Sequence, residues 1–256
     1  MPPTTQPPTL AASPATRRTV ESRRPARAPA PSHATDKGKP VNPQDIEALF
    51  ATLRAANPQP ATELEYSSVF ELLAAVLLSA QATDVSVNKA TRSLFLAAPT
   101  PARMLALGVP GIESHIRTIG LYRTKARHLH ETCAQLIAHH GGRVPRSREA
   151  LEALPGVGRK TANVVLNCAF GEETMAVDTH IFRVANRTGL APGAHPLQVE
   201  LGLLQRVPAP YRADAHHWLI LHGRYVCRAR NPDCARCSID RWCASAPASP
   251  QGQPGT

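Results

Sequence analysis

An all-α fold is predicted, and three observations predict it. Phe70, Leu73, Ala74, Leu77 and Leu78 fall at i, i+3, i+4, i+7 and i+8, which lines one face of a helix. No window alternates with period two for long enough to argue a strand. Breakers such as Pro110-Gly111, Gly141-Gly142, Pro155-Gly156 and Pro192-Gly193 separate several of the periodic segments.

From Asn42 onward the chain reads as helical segments at roughly 45–55, 68–80, 85–97, 101–107, 123–140, 148–154, 158–170, 178–188, 196–206, 211–222 and 234–238. Leu72 and Val76 make the second segment nearly apolar all round, as a central buried helix would be. Ser147 is placed to cap the segment at 148–154, which Pro155-Gly156 ends. The segment after Gly158 turns Ala162, Val165, Leu166 and Ala169 inward. Asp178 sits where the next helix starts.

Outside these segments the composition changes. Residues 1–40 hold nine of the 25 prolines and almost no large apolar residues, so the stretch 1–41 is expected to be a disordered basic tail. Residues 247–256 read the same way. The formal charge is +10, of which the first forty residues carry +5, so the remainder is only mildly basic. That balance points to an anionic partner, with nucleic acid the first candidate. A basic arm adding non-specific DNA affinity and an inert tail both fit residues 1–41. Frequent prolines argue against an amphipathic transit peptide. No secretory pattern or membrane-length apolar run is present, and six cysteines, four of them clustered, do not resemble a secreted disulfide framework. A soluble intracellular protein is expected.

Three constellations carry chemistry. In LPGVGRKTANVVL (Leu154–Leu166) a tight Gly-x-Gly turn joins two helices and offers Gly156, Val157, Gly158 and Arg159 as a backbone cradle for a phosphate. Lys160, in the first turn of the second helix, reads either as a phosphate contact or as a nucleophile. The positive helix end favours the neutral amine, and partial burial would add to that. Asp178, in AVDTH, reads as an N-cap whose carboxylate also assists proton transfer or stabilises positive charge in a cleft. The third constellation is Cys227, Cys234, Cys237 and Cys243, spaced C-x6-C-x2-C-x5-C. Four thiolates hold zinc or an iron–sulfur cluster, and the uneven spacing fits wrapping around the larger object. Cys133 and Cys168 lie within helical patterns and read as small buried apolar residues.

The hairpin LPGVGRKTANVVLN, the segment AVDTHIFRV, the cysteine spacing, FELLAAVLLSAQATDVSVNKAT (Phe70–Thr91) and HHWLILHGRYVC (His216–Cys227) together resemble endonuclease III, a family of bifunctional DNA glycosylases of the helix-hairpin-helix superfamily. The resemblance spans about 42–246. It implies two helical domains flanking a DNA-binding cleft. One is a six-helix barrel with the hairpin at 62–172; the other, an iron–sulfur cluster domain, combines 42–61 with 173–246. It implies a [4Fe–4S] cluster on the four cysteines. It also implies removal of oxidised or ring-damaged pyrimidines from double-stranded DNA through a Lys160 Schiff base, cleavage at abasic sites by β-elimination, and assistance from Asp178. Gln81, Ile119 and Leu121 match the family's wedge positions, which fill the gap left by an extruded base. Core packing is the competing reading for Ile119 and Leu121. Lys125 and Arg123 are expected phosphate contacts, and Asp84 is expected near the cleft. The cysteine loop carries Arg228 and Arg230, but Asn231 stands where the family often has a further lysine, which weakens the expected DNA contact there. A monomer is expected, cytoplasmic and nucleoid-associated in a bacterium, nuclear or mitochondrial in a eukaryote. An adenine mismatch glycosylase is disfavoured, since that class lacks the lysine and usually extends further beyond the cluster. A non-catalytic hairpin module is disfavoured because a pure binder needs neither Lys160 nor Asp178.

Overall fold

The computed structural model describes residues 41–246, and the expectations for 1–40 and 247–256 lie outside the described residues. Ten α-helices are described: α1 (Pro43–Ala56), α2 (Val69–Leu78), α3 (Asp84–Ala97), α4 (Pro101–Ile116), α5 (Tyr122–His140), α6 (Arg148–Glu152), α7 (Arg159–Phe170), α8 (Thr179–Thr188), α9 (Pro196–Arg206) and α10 (Arg212–Tyr225). Short 3-10 turns lie at Ala209–Tyr211, Cys234–Arg236 and Asp240–Trp242. The described residues contain no strand, and no described helix is long and apolar enough to cross a membrane. The fold is all-α.

Capping sets most of the boundaries. Asn42, Ser68, Thr83, Thr100, Ser147 and Asp178 each accept a hydrogen bond from a first-turn N–H of the helix that follows. Two readings need local correction. The helix expected at 101–107 does end there, at the kink of Gly108 (φ 69°), but a further, unexpected helical stretch continues beyond the kink to Ile116 and runs through Pro110-Gly111. Pro110 then falls in the first turn after the kink, where no N–H is required of it. The helix at 234–238 is only a single 3-10 turn at Cys234–Arg236.

The buried apolar residues form two clusters. One gathers Leu64, most of α2, and inward residues of α3 to α7, from Val87 through Leu129 to Leu166. Residues Phe70 to Leu78 of α2 are all buried, so this helix is the axis the others surround. The second cluster joins α1 to α8, α9, α10 and Ile239. Phe50 of α1 stacks on Tyr211 (ring centroids 5.7 Å apart) and Trp218 donates its indole N–H to the Asn57 carbonyl at 2.7 Å. Tyr211 also donates to Glu47 at 2.7 Å. These contacts carry the first helix across to a part of the chain some 160 residues later.

The segment between α7 and α8 links the two clusters and is stitched to α7. Asn163 Nδ2 donates to the Met175 carbonyl at 3.2 Å, and Thr174 Oγ1 donates to the Asn163 carbonyl at 2.6 Å. Asn167 Nδ2 donates to the carbonyls of Glu172 and Ala213, both at 3.0 Å. The start of α8 is thereby set relative to the start of α7.

Candidate active site

The hairpin places its residues differently from one another. Gly156 is left-handed (φ 76°), and a Cβ there would lie 2.7 Å from His128 Nδ1 and 3.0 Å from His128 Cβ. Glycine is thus required by the fold at that position. Gly158 is extended, and a Cβ would meet nothing within 4 Å, so no neighbour in the chain requires its glycine. Gly158 is also the N-cap of α7 and provides no side-chain cap, which leaves the first N–H groups of that helix open to a ligand. From α5, Thr132 Oγ1 steadies the turn by donating to the Pro155 carbonyl at 3.0 Å. Val157 is buried, so only its backbone is available to DNA. The Arg159 guanidinium is bonded to Glu200 of α9 by Nε at 2.9 Å and Nη2 at 2.8 Å. With the Val157 side chain buried and the Arg159 guanidinium already paired, the backbone groups of both remain for the expected phosphate cradle.

Lys160 and Asp178 line one cleft of about 710 Å³, together with Gln81, Asp84, His180, His216, His217 and Arg224. Lys160 is exposed, so the partial burial expected of it is not observed. Asp178 accepts from the N–H groups of His180 and Ile181 through one oxygen, Oδ1, at 2.8 Å each. No described residue bonds Oδ2. His180 is held by close helix packing, since a Cβ on Gly223 of α10 would lie 2.8 Å from His180 Cβ and 3.1 Å from its carbonyl oxygen.

The wedge positions separate. Gln81 (φ 56°) and Leu121 (φ 59°) are exposed and left-handed, and with Asn231 they are the positive-φ residues other than glycine among the described residues. Such backbone strain in a non-glycine residue is maintained only where the surroundings impose it, and it concentrates at functional sites. Leu121 is 60% exposed, whereas Ile119 is 2% exposed and belongs to the first core. The Ile119 expectation is corrected: its side chain anchors the loop and does not reach its surface. Lys125 is corrected likewise. It is buried, its Nζ has no partner among the described residues, and burial pushes its pKa down. Arg123 is exposed. Asp84 does lie at the cleft, where Arg224 Nη1 bonds its Oδ2 at 2.5 Å and also bonds Glu63.

Periodicity alone missed Arg183 and Arg187, one turn apart on α8, which hold the end of α10 and the start of the cysteine loop by their carbonyls. Arg183 donates to those of Cys227 (2.9 Å) and Gly223 (2.7 Å), and Arg187 to those of Arg228 (2.7 Å) and Ala229 (3.0 Å). Their i, i+4 spacing was the available signal. Cys227, Cys234, Cys237 and Cys243 all line one cavity closed by His222, Val226 and Ile239, and none is in a disulfide. Among the described residues, no three His, Cys, Asp or Glu side chains are disposed around a single metal-ion position. Arg228 and Arg230 are exposed. Cys133 is buried, and burial pushes its pKa up to about 12. Cys168 is only half-buried; it lines the catalytic cleft with Sγ 3.4 Å from His217 Nε2.

Residues 74–209 match the family model described as HhH-GPD superfamily base excision DNA repair protein. The chain is 63% identical to endonuclease III of Escherichia coli (strain K12) over 195 residues, covering 76% of this chain and 92% of that protein. Endonuclease III of Haemophilus influenzae (strain ATCC 51907 / DSM 11121 / KW20 / Rd) is 59% identical over the same share of each chain. A solved structure described as a trapped endonuclease III–DNA covalent intermediate superposes with a TM-score of 0.76 at 42% identity, covering 80% of this chain and 97% of that one. With Lys160 and Asp178 facing one cleft beneath an uncapped hairpin helix, and with relatives this close over most of its length, the chain belongs to the endonuclease III family of base-excision DNA repair enzymes.

Proposed function

We propose that this enzyme, a DNA glycosylase with abasic-site lyase activity acting on duplex DNA, excises oxidised or ring-damaged pyrimidines through a Schiff base on Lys160. The observation that carries the reading is the placement of Lys160 and Asp178 in one cleft beside the open N-terminus of α7. Backbone N–H groups there would hold a phosphate without reading sequence, which sets the sugar at the cleft mouth. The damaged nucleotide is extruded, because C1′ is out of reach within the stack. Gln81 and Leu121, exposed on strained loops, are positioned to fill the vacated space.

Lys160 Nζ then attacks C1′, and the bond from C1′ to the base breaks, its electron pair leaving with the base, which takes up a proton. Opening of the sugar ring gives an iminium linking Nζ to C1′. Loss of a C2′ proton follows, the 3′ C–O bond breaks with phosphate as leaving group, and water later releases the lysine. Oδ2 of Asp178, which no described residue bonds, is the group available to accept the proton from Nζ or to face the cationic sugar. A covalent protein–DNA intermediate trapped in a relative of the same fold supports a covalent step.

The four cysteines fit a [4Fe–4S] cluster. All are free and line one cavity, and four thiolates at this uneven spacing suit the larger group better than a compact zinc site. When bound, the cluster would act as a cross-link that fixes the loop carrying Arg228 and Arg230. Preparations should be brown, with about four irons per chain if the four thiolates hold one cluster; colourless, zinc-loaded protein would refute it.

Borohydride should trap a covalent complex with duplex DNA containing an oxidised pyrimidine, and Lys160→Ala should abolish trapping. Trapping that survives in Lys160→Ala would overturn the assignment. Lys160→Gln with retained DNA affinity would separate chemistry from docking.

A further inference from the structure

The floor of the cleft holds a group that the chemistry above does not use. His216 and His217, adjacent on α10, both line the cleft, with their rings edge-to-face at 5.2 Å. His217 is engaged on one side only: its Nε2 lies 3.4 Å from Cys168 Sγ, while its Nδ1 is sealed without a partner. His216 is engaged on neither. It is 4% exposed, its Nδ1 is sealed without a partner, and no described residue bonds its Nε2. A side chain this buried ordinarily finds a hydrogen-bond partner, so an idle imidazole in a reactive cleft is a position kept for a ligand.

Two considerations fix what the ring offers. Burial, reinforced by the charges of His217, Lys160 and Arg224, pushes its pKa down to about 3, so the imidazole is neutral wherever the protein is folded and active. A neutral ring carries one N–H. A sealed N–H without an acceptor is rarer and costlier than a sealed lone pair, so the proton belongs on Nε2 rather than on Nδ1. The open edge of His216 is then a hydrogen-bond donor facing the cleft that Lys160 also lines.

We infer that His216 Nε2–H donates to a carbonyl oxygen of the extruded pyrimidine and so stabilises the base as leaving group. The inference rests on the base-excision reading of the same cleft and assigns the base-facing contact within it. Pyrimidines, whether or not the 5,6 bond is saturated, keep a carbonyl at C2 beside the nitrogen that bonds C1′. As that bond breaks, its electron pair passes into the base and toward that oxygen. A donor already in place stabilises the growing charge, while the Nε2 proton stays shared and is not transferred. The abasic-site reaction has no base, so the contact is irrelevant to it.

This difference is the test. Full-length enzyme is assayed under single-turnover conditions on two duplexes, one carrying a 5,6-dihydroxylated thymine and one carrying a preformed abasic site. His216→Phe keeps a planar ring and removes the donor; base excision should fall about 100-fold, the size found when one transition-state donor is lost. Abasic-site cleavage should stay within about twofold, because a group that acts only on base departure leaves the later step untouched. His216→Gln, which keeps an N–H, should recover part of the lost excision. If the Phe ring is not accommodated, judged by helical circular dichroism, His216→Leu removes the same donor. Equal loss on both duplexes, no loss on either, or no advantage of Gln over Phe would overturn the inference. Wild-type enzyme that cleaves neither duplex would instead overturn the base-excision reading beneath it.

Discussion

Gly223→Ala offers a direct test of how Asp178, the proposed catalytic carboxylate, is held. Gly223 lies on α10 against the first turn of α8, and a methyl group there would stand 2.8 Å from His180 Cβ, 3.1 Å from its carbonyl oxygen and 3.2 Å from its carbonyl carbon. Ordinary contacts lie at 3.4 Å or more, so the two helices must move apart by a few tenths of an ångström or more. Backbone atoms at the contact rule out relief by a rotamer change. Overpacking of this kind costs about 1–3 kcal/mol, while alanine in place of glycine inside a helix returns about 0.5–1 kcal/mol. A net loss of roughly 0.5–2 kcal/mol in urea unfolding is expected. Activity should suffer more than stability. The displaced turn carries the His180 and Ile181 N–H groups that grip Asp178 Oδ1, so the carboxylate moves with it. An ångström of misplacement is worth about 100-fold in rate, and a loss of roughly 10–100-fold in single-turnover excision is expected here. A variant with undiminished excision would refute the claim that this contact sets the position of Asp178, whatever its stability.

The remaining predictions exploit contrasts within the structure. Gly156→Ala should destabilise by more than about 1 kcal/mol, since it is strained at φ 76° and meets His128. Gly158→Ala should leave stability within about 0.5 kcal/mol and weaken DNA binding instead; equal stability losses would refute the separation. Glu200→Ala should cost about 1–2 kcal/mol, less than a fully buried pair because Arg159 is 41% exposed, and should slow excision; an unchanged rate would show that the pair does not position α7. His216 makes stability fall on acidification. The unfolded chain takes up its proton near pH 6.5, whereas the folded site resists until about pH 3. Its contribution is complete above pH 6.5 and is lost progressively below it, by up to about 1.4 kcal/mol per unit. In His216→Gln, stability should vary less between pH 6.5 and 4.5 than in wild type; identical slopes would refute the assignment.

Much of the helical order was legible because it rests on local chemistry. Ser147 and Asp178 read as caps and are caps, since a side-chain oxygen finds the second or third N–H without help from distant parts of the chain. Gly108 and Pro110 show the limit. Proline looks like the stronger breaker, yet only the left-handed φ of Gly108 breaks the helix, and proline is at home in the first turn that follows. The site was legible where motif and backbone coincide, at Gly158 and Lys160. It was not legible where tertiary packing decides between neighbours. Ile119 and Leu121 are both apolar and two residues apart, but the chain buries one and exposes the other through a left-handed residue that no periodicity announces. Arg159 and Lys125 look like surface cations in sequence; one is spoken for by Glu200 and the other is interred without a partner.

The cleft is bounded by residues of both cores, and charged contacts tie those cores together. Arg159 on α7 reaches Glu200 on α9, while Arg224 on α10 reaches Glu63 and Asp84 beside α3. Lys160 follows Arg159 directly, and Asp178 caps the helix that packs on α10 through Gly223. Lys160 and Asp178, the proposed catalytic pair, are therefore each one step from a contact that crosses between cores. The Arg159–Glu200 and Arg224–Asp84 pairs each join a partly exposed arginine to a well-buried carboxylate, so the contribution of each to stability is modest, about 1–2 kcal/mol. Their consequence is geometric. In the proposed mechanism a lysine from one core and a carboxylate from the junction with the other work together only if the gap between cores is fixed to a fraction of an ångström. Loss of either tie should accordingly show first as a slower reaction and only afterwards as a less stable protein.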